Sequence, residues 1–154
     1  SLVEGELFIR QQFFKELGIS DQEMDEQPIA PTCYHYISHI YRQFAESNLG
    51  IAFASLLPCP WLYHDLGKAL NRKPSPNPLY QRWIETYITD ELEQQIKEEE
   101  ALVNQLYRES DETDKQKMLE AFHRSVHMEA KFWEMAYQHQ TWTSDLQSLE
   151  TEKK

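Results

Sequence analysis

The sequence predicts an all-α fold, a bundle of helices joined by short connections. Apolar residues recur at three- and four-residue spacing through most of the 154 residues. No run alternates β-branched residues as a strand would, and no segment repeats internally. A chain of this length makes one domain and would bury about 70% of the surface its unfolded form exposes, enough for a real core.

The elements follow in order. From Leu2 to Leu17 the apolar residues Leu2, Val3, Leu7, Phe8, Phe13, Phe14 and Leu17 mark a first helix, which Gly18 stops. The acidic stretch from Ser20 to Thr32 holds Pro28 and Pro31 and reads as a loop, followed by a second helix from Thr32 to Ser47 and a turn at Asn48, Leu49 and Gly50. IAFASLL is apolar nearly all round and belongs deep in the core. Pro58 and Pro60 interrupt it before WLYHDLGKAL resumes helical spacing. Asn71 to Pro78 is a connector, after which Leu79, Tyr80, Trp83, Ile84, Tyr87 and Ile88 stripe a fourth helix. Asp90 to Arg108 is amphipathic, with Leu92, Ile96, Leu102, Val103 and Leu106 among Glu and Gln. After the SDETD turn a last helix spans Lys115 to His139, and the polar tail from Thr143 to Lys154 is expected to fray.

A formal net charge of −11, from 26 acidic against 15 basic residues, argues against nucleic acid or an anionic membrane as partner, since both reward clustered Lys and Arg. A small molecule or another protein is expected instead. The two cysteines, Cys33 and Cys59, form no CxxC pair, so neither a disulfide framework nor a cysteine-rich zinc site is indicated, and a reducing cytoplasm is the default. No window holds about 18 uninterrupted apolar residues, and SLVEGELFIR lacks the order of a signal peptide. The chain starts without Met, which reads as an interior cut or a residue left after tag removal.

Pro60 suits the first position of a helix, which would leave Cys59 at or near the N-cap. The N–H groups and dipole of a helix start favour a thiolate, so Cys59 is a candidate nucleophile. The alternative is a small buried hydrophobe beside IAFASLL. Glu129 stands at the centre of the last helix's stripe of Met118, Phe122, Val126, Trp133 and Ala136. Desolvation there would raise its proton affinity toward that of a general acid, unless it is a structural carboxylate tied to a helix end or an Arg. Tyr36, Tyr63 and Tyr87 could face one pocket, where such rings stack on flat heterocycles; singly, each reads as core packing. His35 with His39 and His123 with His127 are i,i+4 pairs, and Glu120 with His123 makes an ExxH element. With Glu129 inward, Glu120 and His127 point nearly opposite it, and His35 lies opposite a Cys33, Ile37, Ile40, Phe44 stripe, so no metal site is expected. Glu98, Glu99 and Glu100 read as a solvated face.

With those residues named, the chain resembles the TenA/thiaminase II family in PTCYHYISHIYR, ASLLPCPWLYHDLGKAL, YQRWIETY and HMEAKFWEMAYQHQTW, across residues 2–142. The resemblance implies a haem-oxygenase-like helical bundle, N-terminally incomplete here, because family members carry further helices with an aspartate and an aromatic residue of the pocket wall. It implies Cys59 as nucleophile, Glu129 as catalytic carboxylate, and Tyr36, Tyr63 and Tyr87 as lining for an aminopyrimidine, with no role for Cys33. The implied activity is hydrolysis of 4-amino-5-aminomethyl-2-methylpyrimidine, and of thiamin, to the hydroxymethylpyrimidine of thiamin salvage. It needs no cofactor and would be carried out by a cytoplasmic homotetramer. The rival readings are a metal-dependent oxidase and a catalytically silent pyrimidine-binding or assembly protein on the same fold.

Overall fold

A computed structural model describes residues 2–143. Among them the order is α1 (Leu2–Leu17), α2 (Asp21–Asp25), α3 (Pro31–Glu46), α4 (Leu49–Leu56), α5 (Pro58–Leu70), α6 (Pro78–Thr86), α7 (Asp90–Glu109) and α8 (Glu112–Gln138), with no strand. The all-α expectation holds. None of these helices is long and apolar enough to cross a membrane. Of the expected polar tail, the residues beyond Thr143 lie outside the described ones.

Several boundaries differ from the sequence reading for local reasons. The expected loop after Gly18, which takes φ +70, holds the short helix α2. Ser20 and Glu23 form its capping box, with the Ser20 amide donating to Glu23 Oε2 at 2.8 Å and the Glu23 amide to Ser20 Oγ at 3.2 Å. The turn expected through Asn48, Leu49 and Gly50 is narrower: Asn48 is the N-cap of α4, its side chain accepting from the Ile51 amide at 3.0 Å. The start of α8 moves forward to Glu112, because Asp111 caps it by accepting from the Asp114 amide at 2.8 Å. Its end is His139, left-handed at φ 53.

The chain forms two compact units. One comprises the chain to Pro28 together with Cys59–Asn104, and the other comprises Ile29–Pro58 together with the chain from Gln105. In the second unit α3, α4 and α8 pack on one another. The closest approach is α4 on α8, where small residues meet: Ala52, Ala54 and Ser55 from α4, Ala121 and Ser125 from α8, all essentially solvent-free. Gly50 lies so near α8 that a Cβ there would sit 3.2 Å from Met118 Sδ.

This packing corrects the expected stripes. On α8 the buried line is Met118, Ala121, Ser125 and Met128 with Glu129, while Trp133 is exposed. On α3 the buried residues are Tyr36 and Gln43, whereas Ile37 and Phe44 are exposed at 42% and 47%. The polar side chains can turn inward because their hydrogen bonds are met. Tyr36 donates to Glu129, and Gln43 Nε2 donates to the His39 carbonyl at 3.3 Å. The N-terminus of α3 begins at Pro31 without a side-chain cap of its own, and residues that follow α8 close it: Gln140 Oε1 accepts from the Thr32 amide at 3.1 Å, and the Trp142 indole donates to the Ile29 carbonyl at 2.8 Å.

In the first unit α1 pairs antiparallel with α6. Arg82 binds both carboxylate oxygens of Glu16, at 2.7 and 2.6 Å, and lies 5.7 Å over the Phe13 ring. Tyr87, expected within the fourth helix, is instead the C-cap of α6. A cluster of Tyr87, Leu92 and Ile96 fills this unit's core, with Trp61, Tyr63 and Trp83 packed against it.

Candidate functional site

The five expected site residues fall in two groups, Tyr36 with Glu129 in one unit and Cys59, Tyr63 and Tyr87 in the other.

Tyr36 sits on α3 and Glu129 on α8, buried at 9% and 5% exposure. The Tyr36 hydroxyl donates to Glu129 Oε1 at 2.8 Å. A carboxyl group so far from water with one oxygen oriented by a phenol is a defined point for holding or delivering a proton. The neighbouring turns of α8 are small, which lets α4 close over this stretch of the helix.

Cys59 is exposed near the start of α5. The helix begins at Pro58 and not at Pro60, so Cys59 is its second residue. The backbone scarcely leaves the α region between α4 and α5: Leu57 has φ −54 and ψ −36, and its amide still donates to the Phe53 carbonyl at 3.1 Å. Pro58 cannot continue that ladder. The carbonyl this leaves without its ladder donor is that of Ala54; one residue on, Ser125 Oγ donates to the Ser55 carbonyl at 2.7 Å, and Ser55 Oγ to the Ala52 carbonyl at 2.7 Å. Because Pro58 and Pro60 carry no N–H, the first turn of α5 offers a thiolate fewer backbone donors than an ordinary helix start. Cys33 is half-buried, and burial pushes its thiol up.

Tyr63 lies one turn after Cys59, its ring 5.0 Å from that of Tyr87 and 6.2 Å from that of Trp83, while Trp83 and Tyr87 are 5.0 Å apart. The three rings form an aromatic cluster against this unit's core, and aromatic faces of this kind also stack on flat heterocycles. Tyr87 is its best-held member. Its hydroxyl donates to Glu6 Oε1 on α1 at 2.8 Å, and its carbonyl accepts from His64 Nδ1 on α5 at 2.7 Å. Since a carbonyl only accepts, His64 carries its proton on Nδ1; its buried Nε2 has no hydrogen-bond partner among the described residues. Burial, then the hydrogen bond to Glu6 and the Glu6 charge, raise Tyr87 far above the ordinary tyrosine range, so it stays a neutral phenol.

Sequence reasoning missed Glu6 and His64. Glu6 looks like any surface carboxylate of an amphipathic helix. His64 carried a signal: Gly67, one turn on, admits a close neighbour, and its position faces Tyr87 and Ile88.

Among the described residues no three His, Cys, Asp or Glu gather as a metal site. His35, Glu120, His123 and His127 are exposed, while His39 is half-buried with Nε2 3.4 Å from the Ala121 carbonyl. The second unit also holds an open polar groove of about 500 Å³ lined by Arg42, Glu46, Asp114, Lys117, Glu120 and Arg124, among others, and none of the five expected residues lines it. Its cations are taken by acidic neighbours on their own helices: Arg42 by Glu46 at 2.7 Å, Lys117 by Asp114 at 3.7 Å and Arg124 by Glu120 at 3.6 Å.

A profile of the TENA/THI-4/PQQC family matches residues 2–139. An aminopyrimidine aminohydrolase of Bacillus subtilis is 37% identical over 140 residues, covering 91% of this chain and 59% of that protein. One of Halalkalibacterium halodurans is 30% identical over 142 residues, covering 89% and 62%. The chain thus spans about three fifths of these relatives' length. The solved structure titled TenA homologue protein from P. horikoshii OT3 superposes with a TM-score of 0.75 at 20% identity, covering 88% of this chain and 62% of that one. A putative TenA-like thiaminase of Sulfolobus solfataricus gives 0.72 at 22% identity, covering 86% and 61%. These structural likenesses show the same helical fold, and the profile match with the sequence identities shows that the chain belongs to the TENA/THI-4/PQQC family.

Proposed function

We propose that this chain carries the chemistry for which its relatives are named, the hydrolysis of aminopyrimidines: 4-amino-5-aminomethyl-2-methylpyrimidine, and thiamin, to 4-amino-5-hydroxymethyl-2-methylpyrimidine in thiamin salvage. The observation that carries the reading is Glu129, a carboxyl at 5% exposure in a helical core, with the Tyr36 phenol 2.8 Å from one oxygen. A carboxyl group is almost never buried this far unless it is paired or functional, and buried carboxyls of shifted proton affinity gather at functional sites.

In this reading Glu129 delivers a proton to a ring nitrogen while the Cys59 thiolate adds to a ring carbon, which removes the aromatic stabilisation that protects the side group. The amine departs from the exocyclic methylene as ammonia in the case of the aminomethyl compound, carrying a proton drawn from solvent that the water adding next gives back. Water adds to that methylene and yields its hydroxyl, after which the Cys59–carbon bond breaks, the ring nitrogen returns its proton to Glu129, and the aromatic ring is restored. The sum is pyrimidine–CH2–NH2 plus water giving pyrimidine–CH2–OH plus ammonia, and the scheme calls on no metal or organic cofactor. Exposure of Cys59 supports it as the group that meets substrate, and the wall of Tyr63, Trp83 and Tyr87 supports a flat heterocycle as the ligand. We further place the protein in the cytoplasm, as a homotetramer, on family resemblance.

The test is release of hydroxymethylpyrimidine from the aminomethyl compound by the protein in its longest natural form, beside Cys59→Ser. Release that vanishes in the variant supports both reaction and nucleophile. Release that survives removes Cys59 from the mechanism. A folded protein that binds the pyrimidine without turnover turns the reading to a binding protein.

A further inference from the structure

Tyr87 is gripped from three directions within its own unit. His64 donates to its carbonyl at 2.7 Å, Gly67 brings α5 against its Cβ, and Glu6 accepts a hydrogen bond from its hydroxyl at 2.8 Å. Glu6 is itself held, at 3.5 Å, by Arg10 one turn along α1. The register of α1 that brings Glu6 to Tyr87 is also set by the two-pronged Glu16–Arg82 contact.

A phenol has one proton to donate and two lone pairs. A carboxylate can only accept, so the bond to Glu6 settles the direction of the Tyr87 O–H. We propose that Glu6 is a positioning residue that makes the Tyr87 oxygen a hydrogen-bond acceptor toward ligand, so that this wall selects pyrimidines bringing an N–H donor to it over isosteres bringing only an acceptor. This rests on the reading of Tyr87 as part of the pyrimidine pocket. The raised proton affinity of Tyr87 agrees with it, because a phenol that keeps its proton at every physiological pH keeps this polarity too. The consequence is specificity at a single atom: a ligand presenting a carbonyl there would set lone pair against lone pair in a dry site, at a cost of about tenfold or more in affinity.

Two readouts test the proposal, each on wild type, Glu6→Gln and Glu6→Leu. The first is carbon NMR of ring-labelled tyrosines, with the Tyr87 resonance identified by its absence in Tyr87→Phe. Loss of the carboxylate charge should bring Tyr87 ionisation to lower pH in Glu6→Gln, and an unmoved titration overturns the pair. The second is calorimetric binding of 4-amino-5-aminomethyl-2-methylpyrimidine against its 5-formyl counterpart. Wild type should prefer the aminomethyl compound by about tenfold or more. Glu6→Gln, whose amide carbonyl still accepts the Tyr87 proton, should keep most of that preference. Glu6→Leu should lose it, because the hydroxyl can then turn its proton to the ligand. Binding of both ligands with a preference unchanged in Glu6→Leu overturns the inference and leaves the pyrimidine reading standing. Binding of neither ligand by folded wild type, with Tyr87 still titrating above Glu6→Gln, defeats the pyrimidine reading and the ligand selection with it, while the Glu6–Tyr87 bond remains as a structural contact.

Discussion

Adding one methyl group at Gly67 tests how tightly the α6 end is clamped to α5. A Cβ there would lie 3.0 Å from Ile88 Cγ2, 3.2 Å from Tyr87 Cβ and 3.5 Å from the Ile84 carbonyl oxygen. In a helix interior, Gly→Ala by itself stabilises by about 1 kcal/mol, since alanine loses less backbone entropy. Overpacking a well-filled site costs about 1–3 kcal/mol. Relief here is difficult, because Tyr87 cannot retreat without loosening its bonds to Glu6 and His64. The packing cost should therefore fall in the upper half of that range, leaving Gly67→Ala about 1 kcal/mol or more less stable than wild type. Gly50→Ala is the internal control. Its Cβ would meet only side-chain atoms, Met118 Sδ at 3.2 Å, Asn48 Oδ1 at 3.4 Å and Met118 Cε at 3.5 Å, and an unbranched thioether yields by a few tenths of an ångström more readily than a β-carbon or backbone does. It should stay within about 0.5 kcal/mol of wild type. Urea unfolding of the three proteins, read as midpoint shifts at constant slope, gives the comparison. If Gly67→Ala proves as stable as wild type or more so, the clamp on Tyr87 is loose and the account of its positioning fails.

Ser125→Ala removes the 2.7 Å bond that ties α8 to the buried Ser55 carbonyl of α4, and should cost about 1–3 kcal/mol, seen as a lowered melting temperature. Asp111→Ala removes the α8 cap and should cost about 1 kcal/mol, with Asp111→Asn recovering most of the loss. Burial holds His39 below the ordinary histidine range, with the Ala121 carbonyl opposing and Arg124 and His35 adding to the depression. The unfolded chain therefore takes up this proton more readily, so the stability linked to His39 is present above the unfolded value of about 6.5 and fades as pH falls below it. A His39→Gln variant should show a flatter loss of stability between neutral and mildly acid pH, and an unchanged slope would remove His39 from the acid response.

Much of the candidate site was legible in the sequence because its residues break local patterns. Glu129 interrupts an apolar stripe, and the structure buries it. Cys59 sits between two prolines that disrupt a core helix, and the helix does restart beside it, although at Pro58. The three tyrosines were visible only as aromatic positions. That Tyr36 bonds Glu129, and that Tyr63 and Tyr87 share a wall with Trp83, depends on pairs tens of residues apart. Glu6 was invisible for the same reason, since nothing near it in the chain distinguishes it from Glu16 or Arg10, which are also paired.

By itself the sequence determined the helical class and the approximate course of the longer helices, because these follow from periodicity, capping residues, glycine and proline, all of which act within a few residues. The tertiary structure alone decided which side of each helix turns inward. On α3 the apolar line through Ile37 and Phe44 would be the inward face by hydrophobicity, yet Tyr36 and Gln43 are buried instead. The reason is energetic and non-local: a polar group can be buried only where its partner waits, and Glu129 on a helix 93 positions away supplies the partner for Tyr36. The cap of α3 is likewise borrowed from Gln140. Such choices need the helices assembled before they can be made.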